Sequence, residues 1–165
     1  NYDEIFGTVI NRFLVQAVAG YPLTVYGKGG QVRGYLDIKD TLQCIKLSIE
    51  KPADKGELRI FNQFVETFSV NKIADMVQAS GKRLGINVDI KSIENPRKEM
   101  EEHYYNPKHT GLLELGLKPH YLTGERMDEM MKLVMKYKDK IVNDRIFKGV
   151  KWDNSSSNKK FKSAA

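Results

Sequence analysis

Two arginines in unlike surroundings are the residues of this chain best suited to hold a phosphate. The first, Arg33, lies in Val25-Tyr-Gly-Lys-Gly-Gly-Gln-Val-Arg-Gly-Tyr-Leu-Asp37, a glycine-rich bend between two short apolar stretches. Glycines at positions 27, 29, 30 and 34 would let the main chain come close to a bulky ligand. A guanidinium set there can grip a phosphate with two parallel, charge-assisted hydrogen bonds. The second, Arg97, lies in Asn95-Pro-Arg-Lys-Glu-Met-Glu-Glu-His-Tyr-Tyr-Asn106, where carboxylates and aromatics follow it. Two arginines from separate segments aimed at one diphosphate would form a clamp.

Other reactive side chains point to less. Cys44 is the single cysteine, so no internal disulfide or cysteine-rich metal site can form. Its neighbours Leu42, Ile45, Leu47 and Ile49 make it a buried, inert thiol. His103, His109 and His120 lack the i, i+4 spacing of a helical metal pair, so orienting hydrogen bonds or plain surface positions are expected for them. Tyr104 and Lys108 have the spacing of a Tyr-x-x-x-Lys pair, but Pro107 between them places the tyrosine in a loop and makes the spacing a coincidence.

The elements that must position these residues can be read in outline. Ile5, Phe6, Val9, Ile10, Phe13, Leu14, Ala17 and Val18 form one helical stripe over residues 5–19, stopped by Gly20 and Pro22. Strands are predicted at 23–26 and 34–38, and Asp40 is the expected cap of a helix reaching about Glu50. The apolar positions of that helix would be Leu42, Ile45, Leu47 and Ile49. A third strand is predicted at 57–61, then a helix capped by Ser69 with Val70, Ile73, Ala74 and Val77 buried, ending at Gly81. Alternation predicts a strand at 87–93, and a short helix is expected between Pro107 and Gly116. A long helix from Gly124 to Asn143 carries a methionine stripe read as core. The serine- and lysine-rich segment 153–165 reads as a flexible tail after a domain of residues 1–152.

The strands are few, short and far apart, and lone strands leave their backbone edges unsatisfied. Either they find one another or the chain sits against a domain outside it; the apolar Arg59-Ile-Phe-Asn62 favours the second.

At 165 residues, 41% hydrophobic and 29% charged, the chain can build one globular domain with a real core. The formal charge of +6 is spread out except at Asn158-Lys-Lys-Phe-Lys162, and there is no nucleic-acid-binding motif. No apolar run reaches the roughly 18 residues of a membrane span. The first residue is Asn1 with no leader-like segment after it, which reads as a processed product or a piece of something longer.

Leu23-Thr-Val-Tyr-Gly-Lys-Gly-Gly-Gln-Val-Arg-Gly-Tyr-Leu-Asp-Ile-Lys-Asp40, Phe61-Asn-Gln-Phe64 and Glu101-Glu-His-Tyr-Tyr-Asn-Pro-Lys-His-Thr110 together carry a resemblance. Residues 1 to about 152 resemble the C-terminal half of the UDP-sulfoquinovose synthase family, within the extended short-chain dehydrogenase/reductases. That resemblance implies a mixed α/β fold: the small substrate-binding portion, several helices with short strands, its N-terminal Rossmann domain absent. It implies an enzyme that joins sulfite to UDP-glucose with bound NAD, by oxidation at C4, elimination across C5 and C6, sulfite addition and hydride return. It implies a homodimer, and a plastid stroma location in plants or a cytoplasmic one in bacteria.

By the same resemblance, Thr24, Val25 and Tyr26 would meet the uracil ring, with Val25 alternatively plain core. Gln31 and Arg33 would meet the diphosphate and the neighbouring ribose. Arg97 would be the second jaw, with Glu101 or Glu102 accepting from ribose hydroxyls; a solvated charge run explains 98–102 equally well. Asn11 and Arg12 would start near the ligand mouth, or serve structure. No strand–turn–helix dinucleotide fingerprint occurs, and no catalytic pair is assigned in this chain. The 165-residue chain alone is therefore expected to be inactive. A related nucleotide-sugar epimerase or dehydratase, and a non-catalytic UDP-sugar-binding module, are the alternatives.

Overall fold

The computed structural model describes residues 1–3, 7–94 and 107–146. Helix α1 (Val9–Ala19) opens the fold, followed by β1 (Leu23–Tyr26), β2 (Val32–Tyr35) and α2 (Ile38–Glu50). Then come β3 (Glu66–Ser69), α3 (Val70–Arg83), β4 (Ile90–Ile93), α4 (Gly111–Leu115) and α5 (Gly124–Lys136). Two single turns of 3-10 helix follow, at Lys138–Lys140 and Asn143–Arg145. This is the mixed α/β arrangement of helices and short strands that the sequence predicts.

The strands do find each other, in pairs. β1 runs parallel to β4, with Leu23 opposite Ile90 and Tyr26 opposite Ile93. β2 runs antiparallel to β3, with Val32 opposite Ser69 and Tyr35 opposite Glu66. The apolar stripe of α1 packs through Phe13, Leu14, Ala17 and Val18 against Leu23 and Val25 of β1, Ile73, Ala74 and Val77 of α3, and Met127 and Met131 of α5. Burying side chains of this size is worth about 1.5–3 kcal/mol each. A smaller cluster joins Cys44 to Leu112 and Leu117, so the thiol is buried as expected.

Several boundaries differ from the sequence reading. Strand 34–38 becomes 32–35, and strand 87–93 shortens to 90–93. The first helix begins at Val9 rather than residue 5, residues 4–6 lying outside the described part. The short helix after Pro107 covers Gly111–Leu115 alone, and the last long helix stops at Lys136, seven residues before Asn143. Its buried stripe is Met127 and Met131, whereas Leu133, Met135 and Tyr137 are exposed.

Three expectations are corrected outright. Asp37, not Asp40, caps α2: its carboxylate accepts from the Lys39 N–H at 2.9 Å, while Asp40 turns inward. Leu42, Ile45 and Ile49 face solvent rather than a core. The segment 57–61 forms no strand, with Leu58 and Ile60 exposed; the third strand is the more polar Glu66–Ser69. The Ser69 cap stands, its side-chain oxygen accepting from the Lys72 N–H at 3.2 Å. Among the described residues no helix is long and apolar enough to cross a membrane. The tail segment 153–165 lies outside the described residues.

Candidate functional site

The β1–β2 bend is locked to the start of α3. The Asn71 N–H donates to the Gly29 carbonyl at 3.0 Å, and its side-chain amide donates to the Lys28 carbonyl at 2.9 Å. Gly29 sits at φ 70°, and a Cβ there would collide with Asn71 and Val25. At Gly34 a Cβ would come within 2.6 Å of the Phe64 ring. At these two positions the missing side chain makes room for the protein itself, and the result is a rigid bend that holds Arg33 in place.

That bend forms one wall of a cleft of about 920 Å³. Tyr26, Gln31 and Arg33 line it, as does Tyr35; α1 contributes Asn11 and Arg12, α2 contributes Asp37 and Thr41, and His120, Leu122, Arg126 and Met130 come from the C-terminal part. The Arg33 guanidinium lines the cleft and donates to the Val32 carbonyl at 2.9 Å. The volume is that of a site for a nucleotide-sized molecule.

Thr24 and Val25 stand behind this wall rather than in it. The Gln16 side chain donates to the Thr24 hydroxyl at 2.8 Å and accepts from the Thr24 N–H at 3.1 Å. Arg12 donates to the Thr24 carbonyl at 3.0 Å and lays its guanidinium 4.4 Å over the Tyr26 ring. A ligand reading the Thr24 backbone would share those groups with Arg12 and Gln16. Arg12 thus both lines the cleft and braces β1.

Gln31 Oε1 and Tyr35 Oη are buried polar atoms on cleft residues with no hydrogen-bond partner among the described residues. Leaving such a group unpaired costs about 1–3 kcal/mol, so their position beside a cleft favours a bound partner. Burial pushes the Tyr35 phenol up to about 12 against the opposing pull of Arg33, keeping it protonated and able to donate.

At the other end of the cleft, Arg126 donates to Asp37 at 2.7 Å and to Glu129 at 2.7 Å. Burial alone would raise the Asp37 carboxyl, but the Lys39 N–H and the Arg126 guanidinium outweigh it and hold it below the usual range. Asp40 is fully buried and accepts from His120, a half-exposed residue that lines the cleft. Sequence reasoning missed Tyr35 and these two acid–base pairs. Their partners lie eighty or more residues apart, and no local pattern joins them.

Arg97, Glu101, Glu102, His103 and Tyr104 lie outside the described residues, so the proposed second jaw has no described position. His109 instead packs its ring 4.7 Å from Phe64. Among the described residues no group of three or more potential ligands could hold a metal ion. The bend does not fit a dinucleotide either. It joins strand to strand, and at Gly29 the room left by the missing side chain is taken by Asn71 and Val25, so no helix N-terminus opens onto a phosphate cradle.

No family model matches the sequence. The chain is 55% identical over 152 residues to the chloroplastic UDP-sulfoquinovose synthase of Spinacia oleracea, covering 92% of this chain and 32% of that protein. It is 48% identical over 141 residues to the UDP-sulfoquinovose synthase of Sulfolobus acidocaldarius, covering 86% of this chain and 36% of that protein. Among solved structures, a UDP-N-acetylglucosamine 4-epimerase from Methanobrevibacter ruminantium in complex with UDP-N-acetylmuramic acid superposes with TM-score 0.66 at 17% identity, covering 83% of this chain and 42% of that one. A UDP-glucose 4-epimerase from Thermotoga maritima with UDP-glucose gives TM-score 0.65 at 19% identity, covering 82% of this chain and 42% of that one. These structures share the fold, that of part of an extended short-chain dehydrogenase/reductase. The chain thus resembles part of the UDP-sulfoquinovose synthases over nearly all of its own length, and spans about a third of the length of the curated relatives it matches.

Proposed function

We propose that this chain is the UDP-sugar-binding portion of an enzyme that converts UDP-glucose and sulfite to UDP-sulfoquinovose for sulfolipid synthesis. The observation that carries the reading is the convergence of Tyr26, Gln31 and Arg33, all from one glycine-rich bend, on a single cleft. Arg33 would hold the diphosphate through charge-assisted hydrogen bonds. Gln31 and Tyr35 would gain the partners that their buried atoms lack. Arg97 would close over the diphosphate as the second jaw, with Glu101 or Glu102 on the ribose, and Tyr26 would stand at the uracil with Thr24 and Val25 backing it. NAD would supply the hydride chemistry from a nucleotide-binding domain outside this chain, since the residues described here do not form its cradle.

The exposed surface supports that partner domain. Ile38, Leu42, Ile45 and Ile49 recur at helical spacing along one face of α2, and Leu58 and Ile60 alternate on the segment that follows it in sequence. Apolar side chains grouped this way mark a surface that is normally covered. A nucleotide-binding domain seated there would cover the helix and the exposed Leu58 and Ile60. A homodimer and a plastid location in a plant source belong to the same reading, the second supported by the chloroplastic name of the spinach relative.

Thermal-shift titration separates the parts of this proposal. The purified chain should be stabilised by UDP-glucose and not by NAD, and should turn over no UDP-glucose in the presence of NAD and sulfite. A response to NAD, or turnover, would contradict it.

A further inference from the structure

We infer that His120 contacts the ligand in the cleft, its imidazole oriented by Asp40 so that Nε2 accepts a hydrogen bond from a ligand hydroxyl. This rests on reading the cleft as a nucleotide-sugar site. The Asp40 side chain is 0% exposed and that of His120 is 47% exposed, so a buried carboxylate steers a ring that faces open space. The His120 N–H donates to Asp40 Oδ2 at 2.7 Å, and Nδ1 lies 2.6 Å from Oδ1. Gln43 donates to the same Oδ1 at 2.7 Å. A carboxylate can only accept, so a ring hydrogen sits on Nδ1, and in the neutral imidazole the lone pair is then left at Nε2.

Anchoring does not account for the pair. The backbone N–H of His120 already ties this segment to α2, and Gln43 adds two bonds to Lys118, donating to its carbonyl at 3.0 Å and accepting from its N–H at 3.4 Å. What the Nδ1 bond adds is a fixed ring direction and a fixed tautomer. Arg126, a cation that also lines this cleft, is held by Asp37 and Glu129. His120 supplies an acceptor there suited to a neutral donor, and a nucleotide-sugar offers hydroxyls on its ribose and its hexose.

The test uses the full-length protein that carries this sequence, titrated calorimetrically with UDP and with UDP-glucose. His120→Asn keeps a donor where Nδ1 stood and removes Nε2; His120→Gln places an amide near Nε2. Loss of one neutral hydrogen bond predicts binding weaker by about 2- to 12-fold in the Asn variant, with unchanged melting temperature and partial recovery in the Gln variant. Weakening with UDP as well would place the hydroxyl on the ribose; weakening with UDP-glucose alone would place it on the hexose. In the unsubstituted protein the Nε2 nitrogen-15 resonance should move when UDP-glucose is added, a readout that does not depend on any variant folding.

An unmoved resonance, or full affinity in His120→Asn while Arg33→Ala binds weakly, overturns the inference and leaves the cleft reading standing. Failure of the unsubstituted protein to bind either ligand overturns both.

Discussion

Helices α1 and α2 are both amphipathic, yet only one of them buries its apolar face. On α1, Phe13 and Leu14 are 0% and 1% exposed, sealed by α3, α5 and β1. On α2, Leu42 and Ile49 are 63% and 74% exposed, and the helix turns only Asp40, Cys44 and a flank of Leu47 inward. The contrast teaches that a hydrophobic stripe reports that a helix is covered and says nothing about which chain covers it. The α1 stripe serves the fold of this chain; the α2 stripe stays exposed in it, the surface that the proposed partner domain would cover.

Core truncation should sharpen that contrast most. Phe13→Ala should cost about 3–5 kcal/mol of unfolding free energy, because it empties a site closed on every side. Equilibrium urea unfolding reads this directly, and a loss below about 1 kcal/mol would mean that the α1 interface is not a packed core. An intermediate effect is expected from acid. Arg83 and Ser80 hold the Asp128 carboxyl down at about 2, below its unfolded value, so the pair stabilises the α3–α5 contact fully above the unfolded value. That contribution should fade as pH falls from about 4 toward 2, and Asp128→Asn should flatten the pH dependence in the same window. The smallest effect belongs to α2. In this chain alone, Leu42→Ser or Ile49→Ser should change stability by no more than about 0.5 kcal/mol while improving solubility. In the full-length protein the same changes should destabilise markedly, and equal, small effects in both settings would break the comparison.

What was legible in the sequence follows the range over which each signal acts. Ser69 as a cap and Gly20 as a stop depend on bonds to residues a turn away, and both stand. Arg33 beside its glycines carries its setting with it, and the structure puts it on the cleft. Asp37 and Asp40 are two acids within one turn, and choosing the cap between them required knowing that His120 waits for the second. The segment 57–61 alternates like a strand, but pairing is a property of two segments, and among the described residues its edge meets no partner strand. Glu66–Ser69 escaped notice for the opposite reason: a short polar stretch becomes a strand because β2 lies alongside it.

Arg33 is the residue proposed to hold the diphosphate. Calorimetric titration of the full-length protein with UDP-glucose, comparing Arg33→Ala with the unsubstituted sequence, addresses it directly. Loss of a charge-assisted hydrogen bond predicts weaker binding by about 1.5–3 kcal/mol, roughly 10- to 150-fold. Unchanged affinity in the Ala variant would contradict the assignment of this cleft.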